Sequence, residues 1–348
     1  MNMRPSAVLI TCLAVTAAPA FAQQGPAPLT RFLRQQIGLD SAQLSALEHG
    51  QSVVKVLDTE NKRDVAVFGI VAAELSREAY VARVRDFQHS LRTATRTQFG
   101  IFSDPALPAD LAALTIDPKD VADLKDCHPG DCRLKLPATE MQRIQQEVDW
   151  KANDAQARVD AYARKRLLEY VTDYRARGDA AMAVYDDRGN VHASDAFAQL
   201  LGQSSYVYEY APSFHKYLAL YPHARLDGLA EVLYWSDESL PRLKPILSIT
   251  HMAVYTPPEL PGATLVASKQ IYANHYFEAA FELLTVIERP TPTGAAGTYL
   301  LLLRRFRFDD MPSGGIINIR GKVVGKLRDQ VRVDLERERA VSGNVPGH

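Results

Sequence analysis

The sequence predicts an α+β fold, an antiparallel sheet crossed by one long C-terminal helix, with a large and mostly helical insertion ahead of most of the sheet. Three observations carry this expectation. Five strand-like runs follow one another between residues 228 and 308, joined by Pro- and Gly-rich turns too short for helical crossovers. A helical pattern then runs to about residue 339, with Val323, Leu327, Val331 and Leu335 in an i+4 stripe opposite Lys322, Lys326, Arg328 and Asp329. Residues 93–227 read differently, because they contain the longest helical pattern of the chain, from residue 138 to about 177.

Composition bounds the function classes. The 348 residues are 47% hydrophobic and 23% charged, which fits a globular chain and excludes a disordered, collagen-like or multi-span membrane protein. Forty basic residues against 41 acidic ones leave a net charge of −1. Nucleic acids and anionic membranes attract a marked basic excess, so neither is expected as a partner.

In chain order, residues 1–22 read as a signal peptide. Arg4 supplies the positive start, residues 7–18 the apolar stretch, and Ala20-Phe21-Ala22 the cleavage site before Gln23. The apolar run falls short of the roughly 20 residues a bilayer span needs, and no later run approaches that length, so no integral membrane segment is expected. A lipoprotein box at Leu9-Ile10-Thr11-Cys12 competes with this reading, although Thr11 fits poorly before the cysteine. The expected location is the periplasm or the exterior.

Residues 23–50 form a helical leader, with short helices over 29–36 and 41–49 and Asp40 or Ser41 as the second N-cap. Residues 51–92 hold strands over 53–57 and 64–72, then a helix capped by Ser76 whose Tyr80, Val81, Val84 and Phe87 share a face. The insertion over 93–227 opens with a short strand near residues 98–102 and continues through a Pro- and Asp-rich stretch. After its long helix come a strand near 181–185, a turn at 186–190, a short helix near 195–201 and an aromatic patch. In that patch Tyr206, Tyr208 and Tyr210 alternate like strand residues. The five runs are 228–235, 246–255, 264–272, 277–288 and 298–308, and Gly314-Gly315 breaks the last from the C-terminal helix, placing sheet and helix within 228–340. Residues 341–348 are left as a tail.

Export changes the meaning of the cysteines. Cys12 leaves with the signal, so Cys127 and Cys132 remain, flanking a Pro129-Gly130 turn. In an oxidising compartment this pair reads as a local disulfide. A redox pair and a metal site using His128 are the alternatives, but the spacing is not C-x-x-C and no fourth ligand stands nearby. No metal and no cofactor are expected.

Local sequence also resembles a known family. The segment Leu47-Glu48-His49-Gly50-Gln51-Ser52-Val53-Val54-Lys55 resembles the Leu-Glu-x-Gly-Glu-x-Val-Val lead-in of bacterial cyclase/dehydrase-type members of the START-like, or SRPBCC, superfamily. Residues 68–81, ending in Arg85-Asp86-Phe87, are similar to their first strand and helix, with Arg77 where Pro is usual and Tyr80-Val81 where Val-Trp is. The resemblance covers about residues 45–92 and 228–340. It implies a curved sheet gripped by the C-terminal helix around an apolar cavity, and hence a hydrophobic small molecule or lipid as ligand.

On that implication, polar residues facing the cavity are the candidates for orienting a ligand. Ser268, Gln270, Tyr272, Asn274 and Tyr276 fall on one face by alternation, Arg305 and Arg307 share a face of the last strand, and Val323 lies on the cavity side of the helix. An exposed sheet face and a charged strand edge are the plainer readings of these two sets. If the pocket catalyses, His275 or His251 with a carboxylate such as Glu278 supplies the acid/base group. The chain has no H-E-x-x-H, G-x-S-x-G, Walker or G-x-G-x-x-G motif, which favours binding over catalysis. The leading expectation is an exported binding protein for an apolar molecule. A cyclase, dehydratase or hydrolase on the same pocket, and an envelope protein docking through the 138–177 helix, are the alternatives.

Overall fold

The structure is a computed structural model describing residues 27–342, except residues 94, 240–242, 292–293, 295 and 311–318. The signal segment and Gly314-Gly315 lie outside the described residues.

Two short helices, α1 (Ala27–Gln35) and α2 (Ser41–Glu48), lead into strands β1 (Val53–Leu57) and β2 (Asp64–Ala73). Asp40 caps α2, its side chain accepting from the Gln43 amide while Gln43 reaches back, a reciprocal capping box. Helix α3 (Arg77–Arg85) starts on the Ser76 cap and buries Tyr80, Val81 and Val84, and α4 (Phe87–Ser90) follows. Strand β3 (Arg96–Ile101) then pairs antiparallel with a strand more than a hundred residues later, so the excursion away from the sheet begins only at residue 102.

That excursion contains α5 (Pro118–Leu124), α6 (Ala138–Glu147), α7 (Ala155–Arg177), a two-residue hairpin of β4 (Val184–Tyr185) and β5 (Val191–His192), α8 (Ala193–Gly202), α9 (Ser205–Tyr210) and α10 (Pro212–Leu220). Two expectations are corrected here. The helical pattern over 138–177 is two helices, broken where the Val148 backbone turns extended. Tyr206, Tyr208 and Tyr210 lie on α9, so their alternation does not mark a strand: a six-residue segment is too short for periodicity to choose between the two.

The five expected strands are present as β6 (Ala230–Glu238), β7 (Ile246–Tyr255), β8 (Ala263–Ala273), β9 (Phe277–Arg289) and β10 (Gly297–Phe308), followed by α11 (Ile319–Ser342). They join the earlier strands in one curved eight-stranded antiparallel sheet of order β1-β2-β10-β9-β8-β7-β6-β3. Closing β10 onto β2 unites the two stretches of chain that the insertion separates.

Both faces of this sheet are covered. On one, Val65, Val67, Val71, Met252, Val254, Val286, Leu300 and Leu302 pack under α3 and α11. Helix α11 lies along β1 and β2, and it comes so close that a Cβ on Gly69 would stand 2.5 Å from Leu335 Cδ1 and 2.7 Å from Val331 Cγ1. On the other, Leu233, Trp235, Ile249, Leu265, Phe281, Leu283 and Leu303 pack under the insertion, with α1 and α2 covering Phe68, Ile70 and Leu301. An antiparallel sheet commonly leaves one face to water. Here the insertion takes that face.

Candidate functional site

The cavity lies on the insertion face. Its volume is about 510 Å3, within the range of small-molecule sites. Helix α7 presents Val159, Ala163, Leu167 and Tyr170 to it, α6 contributes Ile144, the segment before α6 contributes Leu134, Leu136 and Pro137, and the sheet contributes Leu247, Tyr272 and Asn274. The apolar walls follow from the helical spacing of these residues: Val159, Ala163, Leu167 and Tyr170 recur at i+4 and i+3 and so share one side of α7.

The polar side chains from the sheet and from α7 that meet the cavity wall are bonded to protein groups. Tyr170 donates to the Ile271 carbonyl at 2.5 Å, and Tyr272 donates to the Lys135 carbonyl at 3.4 Å. Burial pushes both phenols well above their ordinary range, so they stay neutral donors. Asn274 donates to Asp120 at 3.0 Å and accepts from the Leu247 amide at 2.9 Å. At the rim Arg166 grips Glu140 with two hydrogen bonds of 2.7 and 2.8 Å, and Tyr162 donates to the same carboxylate at 3.0 Å. The space between these groups is therefore lined by hydrocarbon and aromatic edges rather than by unpaired donors.

Cys127 and Cys132 lie at disulfide distance, with their Cα atoms 4.6 Å apart. Both are buried in the cluster of Leu124, Leu134, Met141, Ile144, Val148 and Val159, which forms the outer wall of the cavity. The Cys loop is tied to the hairpin that follows α7, with the Gly130 amide donating to Asp186 O at 2.8 Å and the Cys132 amide to Asp187 O at 3.2 Å.

The candidate residues are thus dispersed. Tyr272 and Asn274 line the cavity, but Ser268 and Gln270 lie on the opposite face of the sheet, with Val266, where α3 is the helix that meets β8. The shared face expected for all five residues is corrected by a bulge: Ile249 pairs with Tyr272 while Thr250 pairs with Gln270, so Ile271 is the extra residue and the alternation slips there. Tyr276 sits in the β8–β9 turn with φ +63° and accepts a hydrogen bond from the Lys244 amide at 2.9 Å. Val323 is half-buried on the α11 side and takes no part in the cavity.

Arg305 also departs from expectation. It points away from α11, donating to Ser204 Oγ at 2.8 Å and to the Gln203 carbonyl at 2.8 Å, so it anchors the insertion rather than a ligand between sheet and helix. Its neighbour Arg304 is the one that faces the helix, bridging Glu282 and Asp334.

The histidines are both buried, each with a carboxylate, and neither carboxylate is Glu278. Glu278 is paired with Arg63. His275 lies 2.9 Å from Asp120 of α5, which also pairs with Lys244 at 2.9 Å. Burial alone would raise the Asp120 carboxyl, but His275 and Lys244 outweigh it and hold it below the ordinary range. His251 on β7 lies 3.2 Å from Glu231 of β6 and within 3.1 Å of the hydroxyls of Tyr174 and Tyr217. Its burial lowers its proton affinity, leaving a neutral imidazole at neutral pH. Asp120 comes from a segment 155 residues away and Glu231 from the neighbouring strand at a diagonal position, and no sequence spacing announced either. Among the described residues no group of three or more His, Cys, Asp or Glu is placed to hold a metal ion, and no helix is long and apolar enough to cross a membrane.

The strand order, the antiparallel pairing throughout and the long helix across the sheet define an α+β architecture that carries a helical insertion on the opposite face. Among solved structures the chain is similar to a START superfamily protein from Mycobacterium smegmatis, at 14% identity over 41% of this chain and 89% of that one, with a TM-score of 0.19. No family model and no curated protein matches the chain.

Proposed function

We propose that this chain is an exported binding protein for an apolar small molecule or lipid, seated in the cavity between the helical insertion and the sheet. The observation that carries the reading is the cavity itself: about 510 Å3 of space walled by aliphatic and aromatic side chains. Tyr170, Tyr272 and Asn274 in its wall already have protein partners, so an apolar occupant would leave none of these three unpaired. Each 100 Å2 of apolar ligand surface buried there contributes about 2.5 kcal/mol. Export rests on the reading of residues 1–22, and the Cys127–Cys132 disulfide is in keeping with an oxidising compartment.

Displacement of N-phenyl-1-naphthylamine tests this. The parent is expected to bind the dye, Ala163→Trp to fill the cavity from α7 and lose it, and Val323→Trp on the α11 side to keep it. Loss with Val323→Trp and retention with Ala163→Trp would move the ligand under the C-terminal helix. Absence of dye binding in all three would remove the carrier reading. Docking through the 138–177 helices has less support: the exposed large hydrophobic residues described are Leu107, Tyr208, Leu220, Leu243 and Val333, none of them on α6 or α7.

A further inference from the structure

We infer that a second pocket on the insertion face, sharing no lining residue with the first, binds a small zwitterion carrying both an ammonium and a carboxylate group. The pocket has a volume of about 540 Å3 and is bordered by Glu231, His251, Tyr221, Arg175 and Arg225. Glu231 is its fixed point. Oε2 of this carboxylate accepts from the Tyr217 hydroxyl and lies 3.2 Å from His251 Nε2. On the other side of the ring, Nδ1 lies 3.1 Å from the Tyr174 hydroxyl. Tyr174 donating to Nδ1 sets the Nε2–H tautomer, which then donates toward Glu231. Tyr221 packs edge-to-face against the imidazole, with ring centroids 4.4 Å apart.

A carboxylate at a surface needs no such backing. Three buried polar side chains are spent on holding Glu231, yet its own side chain remains 42% exposed, and Oε1 has no hydrogen-bond partner among the described residues. Burial would raise its carboxyl, but the hydrogen bonds from His251 and Tyr217 prevail and keep it below the ordinary range, so it is ionised at neutral pH. The result is an oriented anion with one oxygen left for a donor.

The two guanidinium groups of the pocket differ. Arg175 is occupied: it donates to the Ser103 carbonyl at 2.5 Å and lies 3.6 Å from Asp104, which offsets its charge. Arg225 is exposed and has no hydrogen bond or ion pair among the described residues. A ligand ammonium on Glu231 Oε1 and a ligand carboxylate on Arg225 would use both open groups, with Leu226 and Leu229 beside the connecting carbons. This inference is independent of the apolar cavity.

Calorimetric titration of the mature chain with 6-aminohexanoate, hexanoate and hexylamine tests it, because the three share a skeleton and differ in charge. The zwitterion is expected to bind at least tenfold more tightly than either single-charge analogue. Glu231→Gln keeps an acceptor for Tyr217 and His251 and should erase the advantage over hexanoate. Arg225→Met should erase the advantage over hexylamine. Ala163→Trp, in the other cavity, should leave all three affinities unchanged. Equal affinity for the three compounds, no measurable binding of 6-aminohexanoate, or an advantage that survives both pocket substitutions would overturn the inference.

Discussion

Asp64 and Arg307 face each other across β2 and β10 in a buried two-pronged contact, with Nε–Oδ1 at 2.7 Å and Nη2–Oδ2 at 2.8 Å. Gln203, at the end of α8, donates to the same Asp64 carboxylate at 2.7 Å, and Gln199 accepts from Arg307. One ion pair therefore joins the strand before the insertion, the last strand after it, and the insertion itself. Hydrogen bonding to Asp64 raises Arg307 further above its ordinary range, so the charge is permanent.

Removing one partner leaves the other charge buried. Asp64→Asn is expected to cost about 3–5 kcal/mol in urea unfolding, while Asp64→Leu combined with Arg307→Met should recover much of that loss. A single substitution that costs under about 1 kcal/mol would show that the pair does not hold the insertion to the sheet.

The C-terminal helix makes a second expectation specific along its length. Val331 and Leu335 are buried over Gly69, whereas Leu327 is half-buried. Val331→Asp should therefore lower the melting temperature much more than Leu327→Asp, because only the former places a charge in a dry interface. Equal shifts would mean that the helix packs uniformly, against the structure.

Much of the sheet was legible. The runs that became β6 to β10 are strand-like over nine to thirteen residues, and short Pro/Gly turns leave little choice of topology. What could not be read was the role of the opposite face. His251, Lys269, Arg305 and Arg307 are polar residues on strands, which in isolation reads as a wetted sheet. Their partners Glu231, Asp179, Ser204 and Asp64 come from as far as 243 residues away, and such pairing leaves no local pattern. The Ile271 bulge likewise carries no composition signal, yet it sends Tyr272 and Gln270 to opposite faces. The approach of Cys127 and Cys132, in contrast, was legible because only four residues, a Pro-Gly turn among them, lie between the two.

Acid should weaken the fold partly through His251. Its folded-state proton affinity is depressed by burial, so below its ordinary value of 6.5 the unfolded chain binds a proton that the folded one resists. Stability is then lost as pH falls from about 7 toward 5, and Glu231, held below 4.5, adds a loss of the same sign at lower pH. Asp187, Asp237 and Glu278 are raised by burial and act in the opposite sense, while half-buried His215 acts in the same one. These contributions cancel when parent and His251→Gln are compared. The variant should show the shallower fall in urea midpoint between pH 7.5 and 5.5, and parallel curves would contradict the assignment.

Native mass spectrometry of the full chain purified from its own cells reads out whether the cavity beneath α7 carries an apolar ligand. An adduct of fixed mass that organic extraction removes is expected, present with Val323→Trp and absent with Ala163→Trp. An adduct-free parent that also takes up no added apolar compound, or an adduct that survives Ala163→Trp, would contradict it.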